Sequence, residues 1–166
     1  IEEIEKQALK ISKLGKNVFV KIPIINTKKK TNAKLIAKLN GQGIKVNVTA
    51  IFTLEQTKSL FKLLNKKTEI ILSVFAGRIA DTGINAKLEM KKHIKTCKSK
   101  KNVKILWASV REPYNYLQAR NIGCHIITVP PDLIEKIEKF GKTYKQLTLE
   151  TVRGFLLDSK KSNFQL

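Results

Sequence analysis

A lysine stands in the middle of an apolar, strand-forming run, Val18-Phe19-Val20-Lys21-Ile22-Pro23. Two readings compete. On an edge strand Lys21 points to water. Alternatively it is enclosed, and an apolar surround favours the neutral amine, a nucleophile able to attack a carbonyl and form a Schiff base. Polar residues then gather near the ends of three further apolar runs. Asn47 and Thr49 lie in the second, and Ser73 and Phe75 end the third, with Arg78 and Asp81 close behind; Ser109 ends the fourth, with Arg111 two residues on. Asn47 and Thr49 are two apart and share one strand face, as do Ser73 and Phe75. If those faces converge, Lys21 meets an amide, two hydroxyls and an aromatic ring. Arg78, Ser109 and Arg111 lie further out. Two guanidinium forks there suit the oxygens of a phosphate dianion.

The elements that must position these groups follow from periodicity. Ile1, Ile4, Ala8 and Ile11 are at helical spacing within residues 1–14, and Gly15 ends that helix. Strands are predicted at 17–22, 44–50, 69–75, 103–109 and 124–129. Helical patterns occupy 31–40, 54–65, 83–97 and 113–121, and two more follow near 131–140 and 144–158, the first opened by Pro130-Pro131-Asp132. Strands apolar on both faces, alternating with helices, predict an α/β fold with a parallel sheet. Five strands make either a complete doubly wound sheet or the last five of an eight-stranded barrel, and periodicity leaves both open. In both, chemistry collects at the carboxyl ends of strands. Neither G-x-G-x-x-G nor G-x-x-x-x-G-K-[ST] occurs, so a nucleotide fold has no support.

The 166 residues suit a single domain over 1–166, 42% hydrophobic and 28% charged. No apolar run is long enough to span a bilayer and nothing resembles a signal peptide. With only two cysteines, Cys97 and Cys124, a reduced, cytoplasmic setting is expected. The net charge of +20 is almost wholly lysine, the arginines being Arg78, Arg111, Arg120 and Arg153. Lysine tracts without interleaved aromatics predict weak, sequence-blind attraction to polyanions and no specific nucleic-acid partner. His125 beside Cys124 lacks further ligands at zinc spacing and reads as a satisfied core histidine next to a small buried thiol. His93, in a lysine-rich helix, is expected in water. Trp107 fits the core or a site wall. Asp81 reads as a helix cap or a partner of Arg78 rather than a catalytic carboxylate.

Taken in order, V-K-I-P, N-V-T-A-I-F-T, S-V-F-A-G-R-I-A-D and W-A-S-V-R resemble the transaldolase family, which includes the compact fructose-6-phosphate aldolases. The likeness runs from residue 1 to about residue 157. It implies a (β/α)8 TIM barrel of which this chain carries strands four to eight and their helices, with the Schiff-base lysine of strand four on Lys21. Asn47 and Thr49 match the N-x-T of strand five. Ser73, Phe75, Gly77 and Arg78 match the S-x-F-x-G-R of strand six, and Ser109 and Arg111 the S-x-R of strand seven. By this resemblance Lys21, Asn47 and Thr49 are catalytic, Ser73 and Phe75 line the substrate, and Arg78, Ser109 and Arg111 hold its phosphate. The implied reaction moves a dihydroxyacetone unit between sugar phosphates, with no metal and no cofactor, in carbohydrate metabolism. The implied partners are sugar-phosphate substrates and further copies of the chain, with no membrane. An aldolase releasing free dihydroxyacetone and a non-catalytic sugar-phosphate binder are the alternatives; Phe75, where that aldolase subgroup usually has tyrosine, favours transfer. The family's acidic and amide residues on strands one to three have no counterpart in this chain, so an amino-terminal segment is expected upstream of it.

Overall fold

The computed structural model describes residues 2–162, which divide after Pro130 into two compact units. The first holds strands β1 (Val20–Pro23), β2 (Val46–Ile51), β3 (Ile70–Val74), β4 (Val103–Trp107) and β5 (Ile126–Ile127). Its helices are α1 (Glu2–Ser12), α2 (Ala33–Gly41), α3 (Leu54–Leu63), α4 (Ala76–Ala80), α5 (Ala86–Cys97) and α6 (Tyr114–Asn121). The second unit contains α7 (Pro131–Glu138) and α8 (Tyr144–Lys161), the latter started by a capping box between Thr143 and Gln146. No helix among the described residues is long and apolar enough to cross a membrane.

All strand pairs are parallel and the sheet order is β1-β2-β3-β4-β5. A doubly wound sheet reverses its strand order at a switch point. Among the described strands the order never reverses, which agrees with a barrel-type α/β fold. Alternation along the strands separates two faces. Val20, Ile22, Val46, Val48, Ile70, Leu72, Val103 and Ile105 are each at most 3% exposed. They share the apolar core with Ile36 and Leu39 of α2, Leu60 of α3 and Met90 of α5, all fully buried. Each such side chain stabilises the fold by roughly 1.5–3 kcal/mol. The opposite face is polar: register aligns Lys21, Asn47, Ile71 and Lys104 in one row across four strands. Burial on both faces is therefore found only toward the carboxyl ends of β3 and β4, where Ser73 and Leu106 are buried on this second face.

Strand and helix ends differ from the periodic reading where the backbone does something special. β2 carries a register shift between Val48 and Ile51, and Ala50 within it has φ 59°. β4 stops at Trp107 rather than 109 because Ser109 takes φ 63°, which no strand accommodates. β5 is only two residues long: Nδ1 of His125 accepts the amide of Ile105 at 3.1 Å, where a ladder bond would otherwise run. His125 is exposed, not in the core, and Cys124 is half-buried. Helix α4 has five residues, too few to show a period.

His93 is another correction. It is fully buried, with Nδ1 2.7 Å from Thr57 Oγ1, and so ties α5 to α3. Ala86, Met90, His93 and Cys97 form the buried stripe of α5, and the lysines flank it. Burial holds the His93 pKa down to about 4 and pushes the Cys97 thiol up to about 12. At the amino ends of β3 and β4, Asn102 Nδ2 donates to the carbonyls of Asn65 and Thr68, and Asn65 Nδ2 to that of Asn40. Lys100 Nζ caps α3 there, 2.5 Å from Phe61 O and 2.6 Å from Leu64 O.

Candidate active site

Lys21 sits on β1, at one edge of the described sheet, and is exposed. Among the described residues no apolar neighbours enclose it. What supports the strand is Asn32, unremarked in the sequence. It is 1% exposed, and its Nδ2 donates at 2.9 Å to the carbonyl of Pro23, two residues past the lysine. An asparagine just before a helix reads as a cap, so nothing in the pattern singled it out.

Asn47 is the register partner of Lys21 on β2. The buried Ser73 on β3 donates its hydroxyl to Asn47 Oδ1 at 2.7 Å. That bond orients the amide and leaves Asn47 Nδ2 without a partner among the described residues. Thr49 lies one pleat further toward the carboxyl end, opposite Pro23 and beside the Ala50 bulge. Its Oγ1 is buried and has no partner among the described residues. Lysine, amide and serine thus occupy neighbouring strands on the polar face, two of them joined by a hydrogen bond. The arrangement offers an amine with hydroxyl and amide groups beside it, suited to a hydroxylated carbonyl compound.

The rim is built differently. Past β3, the Phe75 ring lies tilted against that of Phe52, centroids 5.6 Å apart, and Arg78 lies 5.1 Å over Phe75 as a cation–π pair. Arg78 does not pair with Asp81. Asp81 takes Arg111 instead, through Nη2 at 2.5 Å and Nε at 3.1 Å, with both side chains about half exposed. Hydrogen bonding from Arg111 holds the Asp81 carboxyl below its ordinary range, and the same contact raises Arg111. The two arginines thus have separate anchors.

Gly77 explains how α4 reaches the β4–α6 loop. A Cβ built on it would stand 1.5 Å from Ser109 O and 3.1 Å from Arg111 Cγ. No side chain fits, and the close approach, with Gly77 N donating to Ala108 O at 3.3 Å, sets Ser109 and Arg111 against the helix that carries Asp81. Trp107 belongs to the helix-covered core at 1% exposure and is no wall of the polar face. Cys124 Sγ is 3.4 Å from Ile105 O, and burial raises its pKa, so the thiol is poorly suited to act as a nucleophile.

A family model described as Transaldolase/Fructose-6-phosphate aldolase matches residues 1–166. Among similar proteins, a probable transaldolase of Caldicellulosiruptor saccharolyticus is 31% identical over 144 residues, covering 86% of this chain and 63% of the relative. One of Brucella melitensis biotype 1 is 32% identical over 148 residues, covering 88% and 64%. One of Leptospira biflexa serovar Patoc is 32% identical over 161 residues, covering 96% and 69%. The chain therefore spans about two thirds or less of the length of the first two relatives it matches. With the motifs in order on successive parallel strands and a family match over its whole length, the chain belongs to the transaldolase/fructose-6-phosphate aldolase family.

Proposed function

We propose that the protein carrying this chain transfers a dihydroxyacetone unit between sugar phosphates in the cytoplasm, through a Schiff base on Lys21, and that this chain supplies strands four to eight of a (β/α)8 barrel. The observation that carries the reading is the Lys21–Asn47 register pair with Ser73 bonded to the same amide. The Lys21 amine adds to the ketose carbonyl, and loss of water gives the imine. The protonated imine then accepts the electron pair of the breaking carbon–carbon bond as the adjacent hydroxyl gives up its proton and an aldose phosphate leaves. The remaining enamine attacks an acceptor aldehyde, whose oxygen takes up a proton. Water hydrolyses the new imine to release the product ketose phosphate and restore the Lys21 amine. In this reading Asn47, Thr49 and Ser73 hold substrate hydroxyls or a water. Arg78, Ser109 and Arg111 take the phosphate, as charge-assisted donors at the rim. Asp81 is committed to Arg111, so the proton transfers fall to groups brought by the other βα units of the barrel.

The test is chemical trapping. Full-length protein incubated with fructose 6-phosphate and borohydride should gain the mass of the reduced adduct on the peptide containing Lys21. An adduct on a different lysine, or none with any ketose phosphate, would refute the assignment. An adduct that forms but never turns over would point to a sugar-phosphate binder instead.

A further inference from the structure

Arg111 is gripped at both ends, and only one grip involves its charge. Asp81 holds the guanidinium. The backbone is held by Asn115, in the first turn of α6, whose Oδ1 accepts the amides of Arg111 at 3.0 Å and Glu112 at 3.3 Å. Asn115 is 8% exposed, and its Nδ2 is secured in turn by Gln118 Oε1 at 2.9 Å and Glu112 Oε1 at 3.4 Å. The segment it controls is the turn after β4, where Ser109 sits at φ 63° against Gly77. A non-glycine residue in that region persists only where its surroundings impose it. Side-chain oxygen, helix start and turn therefore form one rigid piece.

We propose that Asn115 is a positioning residue of the phosphate rim: by bonding the Arg111 and Glu112 amides it presets the Ser109–Arg111 turn to receive an anion. This rests on the reading of Ser109 and Arg111 as phosphate ligands. Asn115 touches no substrate; it removes conformations that the turn would otherwise have to give up when the anion arrives.

The probe is inorganic phosphate, titrated calorimetrically against the full-length protein. Arg111→Ala should weaken binding about tenfold or more, as loss of a charge-assisted bond does. Asn115→Ala should weaken it about threefold to tenfold, the scale of one backbone hydrogen bond. With substrates, the Asn115→Ala loss should fall on KM for the phosphorylated compound, lowering its kcat/KM relative to an unphosphorylated ketose. Should Asn115→Ala fail to fold, Asn115→Gln carries the same test, since it displaces the acceptor by one methylene. If Arg111→Ala binds phosphate normally, the phosphate reading itself is wrong. If Arg111→Ala is impaired while folded Asn115→Ala and Asn115→Gln stay within twofold of wild type, the positioning role is overturned.

Discussion

Acidification should destabilise this protein through His93. Its ring is fully buried, Nδ1 lies against Thr57 Oγ1, and Nε2 has no partner among the described residues. A charged imidazole would need acceptors for both N–H groups. Burial holds the pKa at about 4 in the fold, assisted by Lys92 and opposed by Glu89 and Glu55, against 6.5 for a free histidine. Between those two values the unfolded chain binds a proton that the folded chain refuses. Stability is therefore full above about pH 6.5, falls by up to 1.36 kcal/mol per pH unit as pH drops, and loses nothing further through this group below about 4. The total is about 3 kcal/mol at most, a large share of the roughly 5–15 kcal/mol that holds a typical domain together. Urea unfolding of wild type and His93→Gln, at steps from about pH 7.5 to 4.5, isolates the effect because all other groups are common to both. The wild-type advantage should shrink by about 1–3 kcal/mol across that range. A difference that stays constant with pH refutes the argument.

Three further outcomes are expected. Gly77→Ala should cost about 2–4 kcal/mol by forcing backbone apart at Ser109 O, and a wild-type melting curve would show that the approach is looser than described. Lys100→Met should cost about 1–2 kcal/mol in urea unfolding by leaving the last carbonyls of α3 uncapped, without changing phosphate binding, because it acts at the opposite end of the strands. Binding to DNA or RNA should be weak, indifferent to sequence and largely abolished by moderate salt, given a charge of +20 carried almost entirely by lysine; a sequence-specific complex surviving about 0.15 M salt contradicts this.

Much of the fold was legible because it rests on pattern. The five strands and the longer helices show in apolar runs and helical spacing, and their polar carboxyl ends already marked Lys21, Asn47, Ser73 and Ser109. Whatever depends on a single backbone angle or one long-range bond was hidden. Nothing in W-A-S-V-R announces the positive φ of Ser109, and α4 is shorter than the window in which a helical period becomes visible. Asp81 lies three residues from Arg78 and thirty from Arg111, so sequence proximity pointed to the wrong partner. The lysines around His93 suggest a solvated face. Its place in the Ala86–Met90–His93–Cys97 stripe was readable, but a polar residue on such a stripe is easily assigned to the wrong side. Asn32 and Asn115 do their work through side-chain oxygens and amides bonded to backbone, and neither belongs to a motif.

The order of the strands has a kinetic side. Since each strand pairs with the next one along the chain, partners in the ladder are only 20 to 33 residues apart, one crossover each. No strand must wait for a distant segment to be laid between two others. Loop-closure entropy is met in small, similar instalments, so relative contact order is low for a parallel sheet and folding should be correspondingly fast. Growth of such a sheet leaves earlier pairings untouched, and each βα unit can dock on the edge left by its predecessor as the chain emerges during synthesis. A lysine on the first of these strands and arginines beyond the third and fourth are then added to the same end of the sheet by accretion rather than by a late rearrangement.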